Sequence, residues 1–348
     1  METVKPNMFT LKPPSGAGER GHSGNPKVVA EFTRPLLLSP GQDLLGYVFG
    51  RLGRGTLFVI TLVSVLAVLL IFWFVVKEAI PFLRTQTLGQ AFERLAEFLG
   101  GINWYPEAED HPEFGVLPAI VGSLYVTIVA LVLSVPVGLL CAVFLSDIAH
   151  FSIRQSIKPV IEILAAIPSV AYGFFAIVVV APWLQNSFGF STGANSLNAA
   201  MILAIMAVPT IISVAEDSLS AVGRETREAS YGLGATRAET LIQVVIPAAY
   251  SGIIAAVILG MMRAIGETMV VWMAAGMASQ IPSPWWDLSQ SVRPMTATIA
   301  QEMGETARGT AHYHALFAIG CLLLVFTFGM NLISEHFMAR IHRKGGRR

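Results

Sequence analysis

Apolar residues come in long blocks along this chain. Six runs are long enough to cross a hydrocarbon core as helices, at about 56–80, 116–145, 159–182, 197–215, 248–278 and 312–335. A spanning helix needs roughly 20 predominantly apolar residues. One connection has a different pattern. In TLGQAFERLAEFLGG (87–101), Leu88, Phe92, Leu95 and Leu99 recur at helical spacing with polar residues between them. That spacing predicts a short amphipathic helix at the membrane interface. The stretch from Leu36 to Arg54 is mildly amphipathic, and LLLSPGQDLLGYVFG within it is expected to lie on the membrane surface. The first thirty or so residues are rich in Pro, Gly and Ser and are expected to be disordered. The first apolar run starts near Thr56, too late and too long for the core of a cleavable signal. Pro118, Pro136, Pro168 and Pro209 fall within or beside the spans, where they mark either ordinary bends or unwinding around a pathway.

Composition agrees with the blocks. The chain is 54% hydrophobic and 13% charged, with a mean hydropathy of +0.62. Soluble domains carry about 25% charged residues. The fold class is therefore an all-α integral membrane protein of six transmembrane helices. A formal net charge of zero argues against nucleic acid as a partner. Cys141 and Cys321 both sit in apolar runs and read as small buried side chains, with no C-x-x-C spacing. His312 and His314, two residues apart on a helix, point away from each other and read as interfacial, not as metal ligands.

The placement of basic residues orients the chain. Residues 1–55 carry seven Lys and Arg, the 146–158 connection has Arg154 and Lys158, 216–247 has Arg224, Arg227 and Arg237, and the tail after Glu335 has five. The alternate connections are poor in basic residues or balanced by acids, and hold Trp104, Tyr105, Trp285 and Trp286. Both termini are thus expected in the cytoplasm. The chain divides into a cytoplasmic N-terminal segment (1–55), a first span (56–80), an outer connection (81–115), a core of five spans (116–335) containing the cytoplasmic loop 216–247, and a basic tail (336–348).

Ionisable residues inside the spans are rare. Lys77, Glu78 and Glu335 lie at span ends, and Glu162 is expected in the first turn of a helix that starts near Pro159, where the helix dipole favours an acid. Only Arg263 and Glu267, in MMRAIGET (261–268), are deep. A charge at the bilayer centre costs roughly 2.5–3.5 kcal/mol on insertion scales.

The loop EDSLSAVGRETREASYGLGATRAETLIQVVIP (216–247) is too long for a simple turn. It reads as two short helices. The first runs from about Glu225 to Leu233 and stops at Gly234. The second starts at Arg237 under a Thr236/Glu239 capping box. Together they make a rigid knob facing the cytoplasm.

Glu228-Ala229-Ser230, three residues, Gly234, nine residues, then Val244-Val245-Ile246-Pro247 resembles the EAA loop of bacterial ABC importer permeases. GSLYVTIVALVLSVPVGLLCAVFLSDIA (122–149), IEILAAIPSVAYGFF (161–175), MRAIGETMVV (262–271) and MTATIAQEMGE (295–305) resemble the phosphate-specific transport system, and GETMVV with the long first outer connection favours its PstC type. The resemblance spans roughly 110–335. It implies a type I importer permease bundle, N-in and C-in, as a multi-pass protein of the bacterial cytoplasmic (inner) membrane. It implies inorganic phosphate as substrate and membrane lipid around the chain. It also implies a paralogous PstA-like permease beside it, an ATPase dimer below and a periplasmic or extracellular phosphate-binding protein above. The sequence has no G-x-x-x-x-G-K-[ST], so ATP and Mg belong to the partner ATPase and this chain carries no cofactor and no enzymatic site. Glu228, Ala229, Ser230 and Gly234 are then the ATPase-coupling residues, Glu228 being the electrostatic contact.

Arg263, Glu267 and Thr268 are the candidate substrate pathway. A guanidinium stays charged and can hold phosphate oxygens bidentately. Glu267, at i+4, is expected on the same helical face, where it would either compete with the anion for Arg263 or simply neutralise it. Thr268 would add a hydroxyl donor. A permease for sulfate, molybdate or phosphonate, and a non-transporting component of phosphate sensing, are the other readings.

Overall fold

The computed structural model describes residues 40–84, 88–108 and 111–345. The expected N-terminal disorder and residues 36–39 of the expected surface segment lie outside these. Two compact units meet in the sequence between Val68 and Leu69. The described part of the first is a single helix, which continues into the second as α1 (Pro40–Leu83). Residues from Pro40 to Gly50 are thus part of one unbroken helix with the first span, not a separate surface element. Leu57, Phe58, Ile60 and Val63 are all exposed, as suits a helix bathed in lipid.

The second unit holds the remaining elements. After α1 come α2 (Leu88–Gly100), β1 (Trp104–Tyr105) and β2 (Glu113–Phe114). They are followed by α3 (Leu117–Ile148), α4 (Phe151–Ala166), α5 (Ser169–Phe188) and α6 (Ser196–Ser220). Next are α7 (Arg224–Gly232), α8 (Arg237–Ala248), α9 (Tyr250–Gly266), α10 (Met269–Ala274), α11 (Met295–Glu302) and α12 (Ala311–Gly345). Among the described residues five helices are long and apolar enough to span, and α8 with α9, bent by 69° at their junction, pass the same test as a pair and bring the count to six when taken as one span. Helix α2 falls where the amphipathic pattern places it, with Phe98 buried and Phe92 exposed.

Two spans depart from the expected boundaries. The third does not start at Pro159. Residues 151–166 form the separate helix α4, the chain turns extended at Ile167, and the span begins at Ser169. Pro168 is the cause, since a residue before proline is driven out of the helical region. Pro159 and Glu162 are consequently inside α4, so Glu162 does not occupy a helix first turn. The Tyr172 hydroxyl spans the break by donating to the Leu164 carbonyl at 2.9 Å. The fifth span is likewise not continuous over 248–278, because α9 ends at Gly266 and Glu267 is extended at φ −71°, ψ 132°.

Helix α6 is the axis of the unit. Its most apolar stretch is 61% buried, against 28% or less for the other unbroken spans. Ile211 of α6, fully buried, fits between two glycines: a Cβ on Gly138 of α3 would lie 2.7 Å from its Cγ2, and one on Gly260 of α9 would lie 2.6 Å from its Cγ1. Small residues let helix backbones approach closely in membranes, where packing replaces the hydrophobic drive. A second core joins Ala79 and Phe82 of α1, Phe98 of α2, Trp104 of β1 and Leu316 and Ile319 of α12. The two strands pair antiparallel, Trp104 opposite Phe114 and Tyr105 opposite Glu113, a hairpin the block pattern did not announce.

Candidate functional site

The pathway residues sit at the break between α9 and α10. Arg263 is in the last turn of α9, where a cation suits the negative end of the helix dipole. Glu267 leaves the helix, and its carbonyl accepts from Thr296 Oγ1 at 2.9 Å. The expected i+4 placement of Arg263 and Glu267 on one helical face is therefore corrected: among the described residues no ion pair or hydrogen bond joins them. Glu267 lines a small crevice with Ser123, Thr127, Pro294 and Thr296. Thr268 stands at the N-cap of α10 without a side-chain capping bond. The Arg263 Nε is buried with no hydrogen-bond partner among the described residues. An unmet buried donor of this kind costs free energy unless a ligand or water accepts from it.

The cytoplasmic knob forms as its sequence dictates. Helix α7 is followed by Gly234 at φ +88°, a left-handed position that glycine takes at little cost. The Thr236 and Glu239 side chains cap each other's backbone N–H at the cytoplasmic start of α8, ahead of its apolar part. The Thr236 N–H, and then the Thr236 hydroxyl, donate to the Glu239 carboxylate and hold it below the usual carboxylate range. Glu228 and Ala229 are exposed, whereas Ser230 is buried and shares a 2.9 Å hydrogen bond with Thr240. Ser230 thus pins α7 to α8 and does not face outward with its two neighbours. Tyr231 and Leu233, the latter 90% exposed, present apolar surface beside Glu228. An exposed apolar patch rimmed by charge marks a protein contact.

Two charged clusters escaped the sequence reading. At the cytoplasmic ends, Glu216 of α6 is 2% exposed and pairs with Arg154 and, at 3.1 Å, with Lys158 of α4. Glu216, one residue past the expected span 197–215, is thus more deeply buried than the half-buried Arg263 and Glu267. Its hydrogen bond to Glu216, and then that to Asp217, raises the Lys158 ammonium pKa. Arg154 and Lys158 are four apart on one helix, which is the signal that could have suggested a shared acidic partner. At the outer side, Glu302 of α11 accepts from Trp104 Nε1 at 2.9 Å and Arg293 at 2.7 Å, and lies 2.8 Å from His312 Nε2. His312, taken as interfacial, is therefore a buried member of a polar network that joins the hairpin, α11 and α12.

Residues 134–343 match the model of the family described as binding-protein-dependent transport system inner membrane component. The chain belongs to this family. It is a multi-pass component of the cytoplasmic membrane, of the PstC type among these permeases. It is 37% identical to the probable ABC transporter permease protein YqgH of Bacillus subtilis, over 70% of this chain and 78% of that one. It is 34% identical to the phosphate transport system permease protein PstC of Mesorhizobium japonicum, over 72% of this chain and 80% of that one. Among solved structures, a chain of a bacterial ABC transporter that imports alginate superposes with a TM-score of 0.55 at 14% identity, covering 85% of this chain and 99% of that one. A chain of the inward-facing MetNI methionine transporter gives 0.52 at 17% identity, covering 65% and 95%. These two likenesses establish the importer permease fold. As an inner-membrane component of a binding-protein-dependent system, the chain is a translocation subunit, and ATP hydrolysis belongs to a separate chain.

Proposed function

We propose that this chain forms half of the translocation pathway of an ATP-driven inorganic phosphate importer, with Arg263 as the anion contact. The buried Arg263 Nε without an acceptor among the described residues, beside a broken helix, is the observation that carries this reading. A guanidinium offers phosphate a fork of donors and keeps its charge in a low-dielectric site. The carboxylate of Glu267 is not bound to Arg263 in this conformation, so the site is open to an anion. Rotation about the extended backbone of Glu267 would return its carboxylate toward Arg263 and displace the anion, which keeps binding weak enough for release. Thr268 supplies a further hydroxyl at the same break. A PstA-like permease would complete the pathway, a phosphate-binding protein would deliver substrate above, and an ATPase pair would engage Glu228, Ala229, Tyr231 and Leu233 below. Names of the PstC relatives support phosphate over other oxyanions.

The test is uptake of labelled phosphate into proteoliposomes holding the full complex, with ATP and binding protein. Arg263→Gln is expected to lower uptake at least tenfold with the complex assembled. Wild-type uptake by that variant would refute the anion role. Uptake of sulfate or molybdate in preference to phosphate by the unaltered complex would overturn the substrate assignment.

A further inference from the structure

We infer that Arg227 is the residue through which movement of the knob reaches the membrane helices, an inference that rests on reading α7 as the ATPase-docking helix. Arg227 precedes Glu228 but points the other way. Its side chain is 17% exposed, and its Nη1 pairs with Asp147 Oδ1 in the final, π-wound turn of α3. Nη2 donates to the Leu219 carbonyl at 2.8 Å, and Nε donates to the Val222 carbonyl at 3.2 Å. Leu219 is in the last turn of α6, and Val222 follows its C-cap.

One planar guanidinium therefore ties α7 to the ends of two spans. The geometry suits arginine alone among the cations: three N–H directions meet a carboxylate and two carbonyls, whereas a lysine ammonium is a single point of attachment. Both carbonyls lie at the C-terminal end of α6, so the cation also meets the negative end of its dipole. The tie extends to α4, because Glu216 of α6 pairs with Arg154 and Lys158, and Arg154 also donates to Ser220 at 3.0 Å. The ends of α3, α4 and α6 and the docking helix thus form one cross-linked block. Packing alone would allow α7 to rock on the Ser230–Thr240 contact. With Arg227 in place, a displacement of α7 carries α3 and α6, the helices that meet at Gly138 and Ile211.

The whole complex in proteoliposomes tests this with two readouts. The first is the stimulation of ATPase activity by phosphate-loaded binding protein. The second is co-purification of the ATPase with the permease. Arg227→Ala is expected to retain the ATPase at wild-type stoichiometry and basal hydrolysis, while stimulation and uptake each fall at least tenfold. Arg227→Lys should keep an intermediate stimulation, and Asp147→Asn a smaller loss than Arg227→Ala, since the carbonyl bonds remain. Stimulation and uptake within twofold of wild type in Arg227→Ala would overturn the inference, as would loss of the ATPase from that complex. Failure of the docking reading is distinguished by Glu228→Lys combined with Leu233→Asp. If that variant keeps its ATPase, α7 is not the docking helix, whatever Arg227 does.

Discussion

The clasp of Ile211 by Gly138 and Gly260 makes one substitution change sign with its background. In Gly260→Ala the new methyl would sit 2.6 Å from Ile211 Cγ1 and 2.9 Å from Cδ1. Ordinary carbon contacts lie at about 3.5–4.0 Å, so the overlap is roughly 1 Å. Ile211 cannot retreat, because it is fully buried and its Cγ2 abuts Gly138 on the other side. Overpacking of this kind costs about 1–3 kcal/mol. Alanine recovers up to ~1 kcal/mol of helix propensity over glycine. The net expectation is a loss of up to about 2 kcal/mol, combining the two. Ile211→Ala alone leaves a cavity and costs about 2–5 kcal/mol. In that background the methyl added by Gly260→Ala meets space instead of a side chain and fills part of the void. Gly260→Ala should therefore stabilise the Ile211→Ala protein by up to ~1 kcal/mol. Thermal unfolding of the four detergent-purified complexes gives the double-mutant cycle, with an interaction energy of about 1–3 kcal/mol expected for residues in contact. If Gly260→Ala lowers the midpoint equally in both backgrounds, the glycine is not there to admit Ile211 and the packing argument fails.

Other consequences follow from the polar networks. Glu302→Gln leaves Arg293 and His312, both mostly buried, without their shared carboxylate. Removing one partner of a buried pair costs about 3–5 kcal/mol, and the partial exposure here favours the lower end, read as a lowered thermal midpoint with the α12 half of the complex most affected in hydrogen exchange. Thr236→Ala removes the cap of α8 and should cost about 1 kcal/mol, seen as faster amide exchange confined to residues 237–240. The Glu239 side of that cap has a depressed pKa in the folded knob. Its contribution is thus present above the unfolded carboxylate value and lost as pH falls through the folded one. The exchange difference between wild type and Thr236→Ala should accordingly shrink on acidification.

The span count, the orientation and the knob were legible because each follows from local chemistry. A bilayer demands about twenty apolar residues whatever the fold. A capping box and a left-handed glycine specify a helix start and a helix stop from a few adjacent side chains. Pro168 was a correct warning of a break, yet the pattern alone assigned 159–166 to the wrong side of it. Hydropathy cannot separate an amphipathic helix lying beside a span from the span itself when the two are contiguous.

The break at Glu267 was hidden for a related reason. Residues 261–274 read as an uninterrupted helical pattern apart from two charges, and nothing nearby in sequence unwinds them. Thr296, twenty-nine residues away, holds the Glu267 carbonyl outside the helix. Local patterns were enough to say which segments enter the membrane, which side the knob faces and which two charges needed a reason to be there. It took the packed helices to show that those charges share no direct ion pair, that Ser230 faces inward and that Arg227 points back at α3 and α6. Hydropathy and turn chemistry are properties of neighbours in the chain, whereas the partner of a buried charge is set by helices that meet only after folding.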